Sequence, residues 1–155
     1  MNRSALDTPL IRVGEEFRSL VRYTREQLMQ FARLTGDTNP LHHDREAAER
    51  ASFGEIIASG QQTASHMMGV VASHFSLRDD GVPREMLCLN FNFAFKAPVF
   101  AEQDIHLSWR VTKIEASPRH GGYIGHLDGK ASVAGRACVV GRGTILVKRA
   151  AARLV

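Results

Sequence analysis

Between Gly60 and Phe75 the chain runs without a single Asp, Glu, Lys or Arg. Ala64, Met67, Met68, Val71, Ala72 and Phe75 recur there at three- and four-residue steps, the period of a helix face. The other faces carry small or uncharged residues: Thr63, Ser65, Gly69, Val70 and Ser73. A helix apolar or small nearly all round belongs inside a protein, so the rest of the chain has to supply its cover. His66 and His74 lie eight residues apart, not the three or four that set two ligands on adjacent turns. They read as satisfied core or interface histidines rather than metal ligands.

The cover is legible further on. From Arg84 the period changes to two: Leu87, Leu89, Phe91, Phe93 and Phe95 alternate with Cys88, Asn90, Asn92, Ala94 and Lys96, up to Pro98. This aromatic stripe reads as core. Further strands are expected from Ile105 to Ile114, Tyr123 to Val133 and Ala137 to Val147, separated by turn-rich Pro118-Arg119-His120-Gly121-Gly122 and by Ala134-Gly135-Arg136. A short strand precedes them between Glu16 and Tyr23. Such strands need one face covered, and the helix from Gly60 is the only long apolar helix the pattern offers. The expected fold class is therefore α+β, a curved antiparallel sheet wrapped around a long central helix. Residues 1–155 read as one domain, with residues 1–13 a polar, weakly specified arm.

Bulk composition excludes several classes. The length of 155 residues suffices for one substantial core. A net charge of +4, from 20 basic and 16 acidic residues, comes without a dense basic run interleaved with aromatics, so no nucleic-acid partner is expected. The mild excess is compatible with an anionic, nucleotide-bearing ligand. No apolar run approaches the ~20 residues of a membrane helix. Met1 to Leu10 lacks a signal peptide's apolar core, and cytoplasm is the default expectation. Cys88 and Cys138 have no zinc-like spacing and read as small core or sheet residues in a reducing compartment. No metal is expected.

The segment ahead of the apolar helix carries the chemistry. Thr24-Arg25-Glu26-Gln27 has the form of a capping box, with Leu28, Phe31 and Ala32 on one helical face behind it. Gly36 ends that helix and delivers Thr35-Gly36-Asp37-Thr38-Asn39-Pro40-Leu41-His42, a loop rich in turn-forming residues. Taken alone this is a surface turn. Asp44 is placed to cap a second, shorter helix through Ala47, Ala48 and Ala51.

The whole stretch from Phe31 to Ala48 resembles the signature of the MaoC-like (R)-specific enoyl-CoA hydratases, the type 2 enoyl hydratases of the hot-dog fold. Aromatic, aliphatic, Thr-Gly-Asp-x-Asn-Pro, aliphatic, His and a small residue fall in register. Phe93-Ala94-Phe95-Lys96-Ala97-Pro98-Val99-Phe100 looks like a sheet segment of the same family. The resemblance implies a hot-dog fold, the catalytic pair Asp37 and His42, and a site place for Asn39. It implies no cofactor, and an acyl thioester of coenzyme A or acyl carrier protein as substrate. Water would be added reversibly across the 2,3 double bond of a trans-2-enoyl thioester to give an (R)-3-hydroxyacyl thioester. Related folds join sheets edge to edge, so a homodimer or dimer of dimers is expected.

Gly60 has two readings. Its backbone N–H at a helix start is suited to stabilising enolate-like charge on a thioester oxygen, and its missing side chain equally suits close packing. Ser59 stands where this family often has histidine, and reads first as a helix cap. Ser59, Gln61 and Ser65 are the candidate pocket residues. Two other functions share these features: a hot-dog thioesterase, and a non-catalytic acyl-thioester-binding subunit. The retained Asp37, Asn39 and His42 argue against both.

Overall fold

A computed structural model describes residues 9–151. Five strands form one antiparallel sheet in the order β1-β3-β4-β5-β2: β1 is Glu16–Val21, β2 Arg84–Phe95, β3 Ile105–Ser117, β4 Gly122–Val133 and β5 Arg136–Arg149. Helices α1 (Arg25–Thr35), α2 (Arg45–Arg50) and α3 (Gly60–Ser76) lie between β1 and β2 in sequence. The curved sheet takes α3 as its central helix, as the apolar pattern requires.

Local chemistry explains the elements. Thr24 accepts a hydrogen bond from the Gln27 N–H while the Gln27 side chain accepts from the Thr24 N–H, closing the expected capping box. Gly36 ends α1 at φ 69°, a left-handed conformation that costs glycine little, and the Asp37 N–H returns to the carbonyl of Ala32 at 2.8 Å. Asp44 caps α2 through the Ala47 N–H.

Sheet and helix are joined by Trp109, whose indole Nε1 donates to the carbonyl of Met67 at 2.9 Å. An indole N–H buried without a partner would cost about 1–3 kcal/mol. Room for the large rings comes from cross-strand glycines: Trp109 pairs with Gly129, Phe91 with Gly143 and Phe93 with Gly141. A Cβ on any of these glycines would run into the ring opposite.

Three expectations are corrected. First, α3 is buried on one side only. Met67, Val71 and Phe75 enter the core, while Ser65, Gly69 and Ser73, at four-residue steps, form an exposed side. His66 and His74 are satisfied as expected, by Tyr23 at 3.0 Å and Glu15 at 2.6 Å. Second, the arm is anchored: Leu10 and Ile11 belong to the core, and the buried Arg84 donates to the carbonyl of Leu10. The part of the arm before residue 9 lies outside the described residues. Third, the apolar stripe of β2 is interrupted. The register shifts between Cys88 and Asn90, leaving Leu89 as an extra residue that reverses the side-chain parity. Phe91 and Phe93 pack on the core, but Leu87 and Leu89 are 53% and 51% exposed, and Cys88 is exposed too. Cys138 is buried, as expected.

Candidate active site

The Asp37 loop is built by its own backbone. Asp37 Oδ1 accepts the Asn39 N–H at 3.0 Å, and Asn39 Oδ1 accepts the Leu41 N–H at 3.2 Å, so each side chain closes a local turn. Pro40–His42 then forms one 3-10 turn with Asn39 as its cap. This turn carries the His42 side chain inward, to 8% exposure. Asn39 itself is exposed and shapes the loop.

His42 is oriented by a residue far along the chain. Its Nδ1 lies 2.8 Å from the carbonyl oxygen of Ile57. A carbonyl only accepts, so Nδ1 carries the hydrogen and a neutral ring leaves its lone pair on Nε2. Nε2 faces Asp37 Oδ2 across 3.6 Å. The segment that supplies the carbonyl is tied on both sides, by Ile57 N–H to Leu41 O at 3.1 Å and Ala58 N–H to Val99 O at 2.8 Å.

That segment leads straight into α3. Ser59 is 1% exposed and makes no side-chain cap for the helix. Its hydroxyl donates instead to Asp37 Oδ2 at 3.0 Å, which corrects the reading of Ser59 as a capping residue. The carboxylate is the stronger acceptor, and it lies within reach. The Gln61 amide donates to the same oxygen at 3.2 Å. Asp37 is thereby held below the usual carboxylate pKa, chiefly by the Asn39 N–H, with the Ser59 hydroxyl, His42 and Gln61 adding to it against partial desolvation.

These groups open on a cavity of about 640 Å³, large enough for a small-molecule ligand. Asp37, His42, Ser59, Gly60 and Gln61 line its polar end, and Ile57, Ala58, Phe95, Val99 and Val139 are among the apolar residues of the remainder. Gly60 is the first residue of α3, so its N–H has no acceptor within the helix. Two placements differ from expectation. Ser65 is on the exposed side of α3 and is not part of the lining. Phe95, read as core, is 56% exposed and lines the cavity. Sequence reasoning also missed Ile57, whose role rests on its backbone carbonyl and leaves no trace in residue type.

The family model described as "MaoC like domain" matches residues 11–121. The chain belongs to the MaoC-like domain family. Among relatives of this MaoC-like chain, a mitochondrial 3-hydroxyacyl-[acyl-carrier-protein] dehydratase of Solanum lycopersicum is 26% identical over 66% of the chain and 57% of its own length. The chain therefore spans less than two thirds of that relative. An (R)-specific enoyl-CoA hydratase of Aeromonas caviae is 27% identical over 67% of the chain and 73% of its own length. The solved (R)-hydratase of A. caviae superimposes with a TM-score of 0.74 at 26% identity, covering 90% of the MaoC-like chain and 98% of that structure. A 3R-hydroxyacyl-ACP dehydratase complex of Mycobacterium tuberculosis shares the fold, with a TM-score of 0.70 at 20% identity over 86% and 96% of the two chains.

Proposed function

We propose that this protein is a hydratase/dehydratase that adds water reversibly across the 2,3 double bond of a trans-2-enoyl thioester, giving an (R)-3-hydroxyacyl thioester. The observation that carries the reading is the 3.6 Å gap between Asp37 Oδ2 and His42 Nε2. With Nδ1–H committed to Ile57, both facing atoms are acceptors. Two acceptors at that separation are both within hydrogen-bond reach of one water set beside the pair, which supplies a hydrogen to each. A water held so, at the head of a largely apolar cavity, is placed to attack C3 of an enoyl group lying along the cavity. The Gly60 N–H, at the positive end of α3, is the group for the negative charge that develops on the thioester oxygen.

Relatives named for acyl-carrier-protein and coenzyme A substrates support a thioester of one of these two carriers. Assembly is a homodimer or dimer of dimers formed through β2, the long outer strand, whose exposed Leu87 and Leu89 and unpaired backbone edge invite a partner.

Incubation with a trans-2-enoyl-CoA separates this reading from its rivals. Reversible loss of the conjugated enoyl absorbance is the expected result. Release of free thiol would make the protein a thioesterase, and binding of both this substrate and its acyl-carrier-protein counterpart without turnover would make it a non-catalytic subunit; either overturns the proposal.

A further inference from the structure

The two members of the pair are not equivalent as bases. Asp37 accepts three hydrogen bonds from the protein: the Asn39 N–H on Oδ1, and the Ser59 hydroxyl and Gln61 amide on Oδ2. Each stabilises the ionised carboxylate, and protonating Oδ2 means disturbing the donors on it. Ser59 is fixed by burial. Gln61 is exposed and also approaches Thr35 Oγ1 at 3.4 Å. His42 is the reverse case. One ring nitrogen is anchored on Ile57 and the other points its lone pair at the cavity. Among the described residues, the titratable groups that line the cavity with Asp37 are His42, on its own loop, and Lys96, the residue after β2.

We propose that Ser59 and Gln61 are positioning residues that hold Asp37 as a fixed, ionised anchor, so that His42 Nε2 carries the proton in both halves of the reaction. This rests on the hydratase reading. As the water oxygen bonds to C3, one of its O–H bonds breaks and that proton passes to Nε2. The C2–C3 π pair becomes the C1–C2 π bond of an enolate as the carbonyl π pair moves onto the thioester oxygen. Nε2 then returns the proton to C2 as the enolate collapses, restoring neutral His42. Asp37 stays an anion throughout, holding the water by its second hydrogen and stabilising the transient imidazolium across 3.6 Å. Nothing is oxidised or reduced.

The test pairs NMR titration with kinetics. Carbon-13 shifts of the Asp37 carboxyl and nitrogen-15 shifts of the His42 ring are followed with pH in the unliganded wild-type protein, Ser59→Ala and Gln61→Leu, each shown folded by its melting curve. The Asp37 midpoint should rise in both variants. With trans-2-enoyl-CoA, kcat should fall roughly tenfold or more in Ser59→Ala while KM changes less than about threefold. The acid limb of the wild-type kcat/KM profile should follow the His42 titration. An Asp37 midpoint indifferent to both substitutions would remove the clamp. An acid limb that follows the Asp37 titration would make Asp37 the base and overturn the division of roles. Absence of wild-type hydration of both trans-2-enoyl-CoA and the matching acyl-carrier-protein thioester would refute the hydratase reading and the proton path with it, while the titrations still decide the clamp.

Discussion

The ring of Phe95 lies flat enough against Gly60 that a Cβ there would stand 2.7 Å from both Cδ1 and Cε1. The first residue of α3 is thus bare on the side where the last residue of β2 closes over the cavity, and both line it. A glycine at this position seats the ring, and under the proposed function it also leaves a backbone N–H open to the substrate oxygen.

A double substitution distinguishes those two roles. Gly60→Val should displace Phe95 and lower turnover by roughly 10²- to 10³-fold, the scale of a lost oxyanion donor. Adding Phe95→Ala restores room for the valine. Steady-state hydration beside thermal melting should show turnover still low in the double variant with melting largely recovered. Full recovery of turnover would leave Gly60 with a packing role alone.

The exposed edge of β2 sets the expectation for assembly. Light scattering at micromolar concentration should give the mass of a dimer or of two dimers. Leu89→Lys, which puts a charge on the bulged position of that edge, should shift the protein toward monomer. A monomeric mass for the wild-type protein would contradict the β2 interface.

Asp80 and Arg84 give a pH dependence of stability. Two guanidinium nitrogens of the buried Arg84 meet the two oxygens of Asp80 at 2.6 Å each. The same Arg84 side chain donates to the carbonyls of Leu10 and Val82. Hydrogen bonding to Arg84 is the chief cause of an Asp80 pKa lowered to about 2. Because the folded-state value lies below the unfolded one, the pair stabilises the fold fully above about pH 4 and loses that contribution as pH falls toward 2. Chemical denaturation should find Asp80→Asn less stable than wild type at pH 7, with the gap narrowing as pH falls from 4 to 2. A gap independent of pH would mean the pair contributes no ionic stabilisation.

How much of this was legible in the sequence follows from how local each interaction is. The capping box of Thr24 and Gln27, the stop at Gly36 and the Asp37–Asn39 turn are contacts within a few residues, and residue types disclosed them. Ser59 misled because its local chemistry, a hydroxyl at a helix start, pointed to a cap, whereas its partner Asp37 lies 22 residues earlier. The stripe of β2 misled because one extra residue at Leu89 leaves the apolar alternation intact in the sequence while turning the side chains over. Leu10 and Ile11 looked like part of a polar arm because two apolar residues show no period. They are core because Arg84 and the sheet come to them.

On the proposed function, Asp37 and His42 act together on one water. The most direct measurement is the initial rate of enoyl absorbance loss from a trans-2-enoyl-CoA, taken with wild type, Asp37→Asn and His42→Ala side by side. Asp37→Asn removes the anchoring charge with its shape kept, and His42→Ala removes the imidazole together with the donor to the buried Ile57 carbonyl. Wild type should hydrate the substrate and each variant should be slower by a factor of roughly 10² to 10⁴, with Asp37→Asn melting close to wild type and His42→Ala melting lower, still folded, for the loss of its bond to Ile57. A variant that keeps more than about a tenth of the wild-type rate would contradict the role given to that residue.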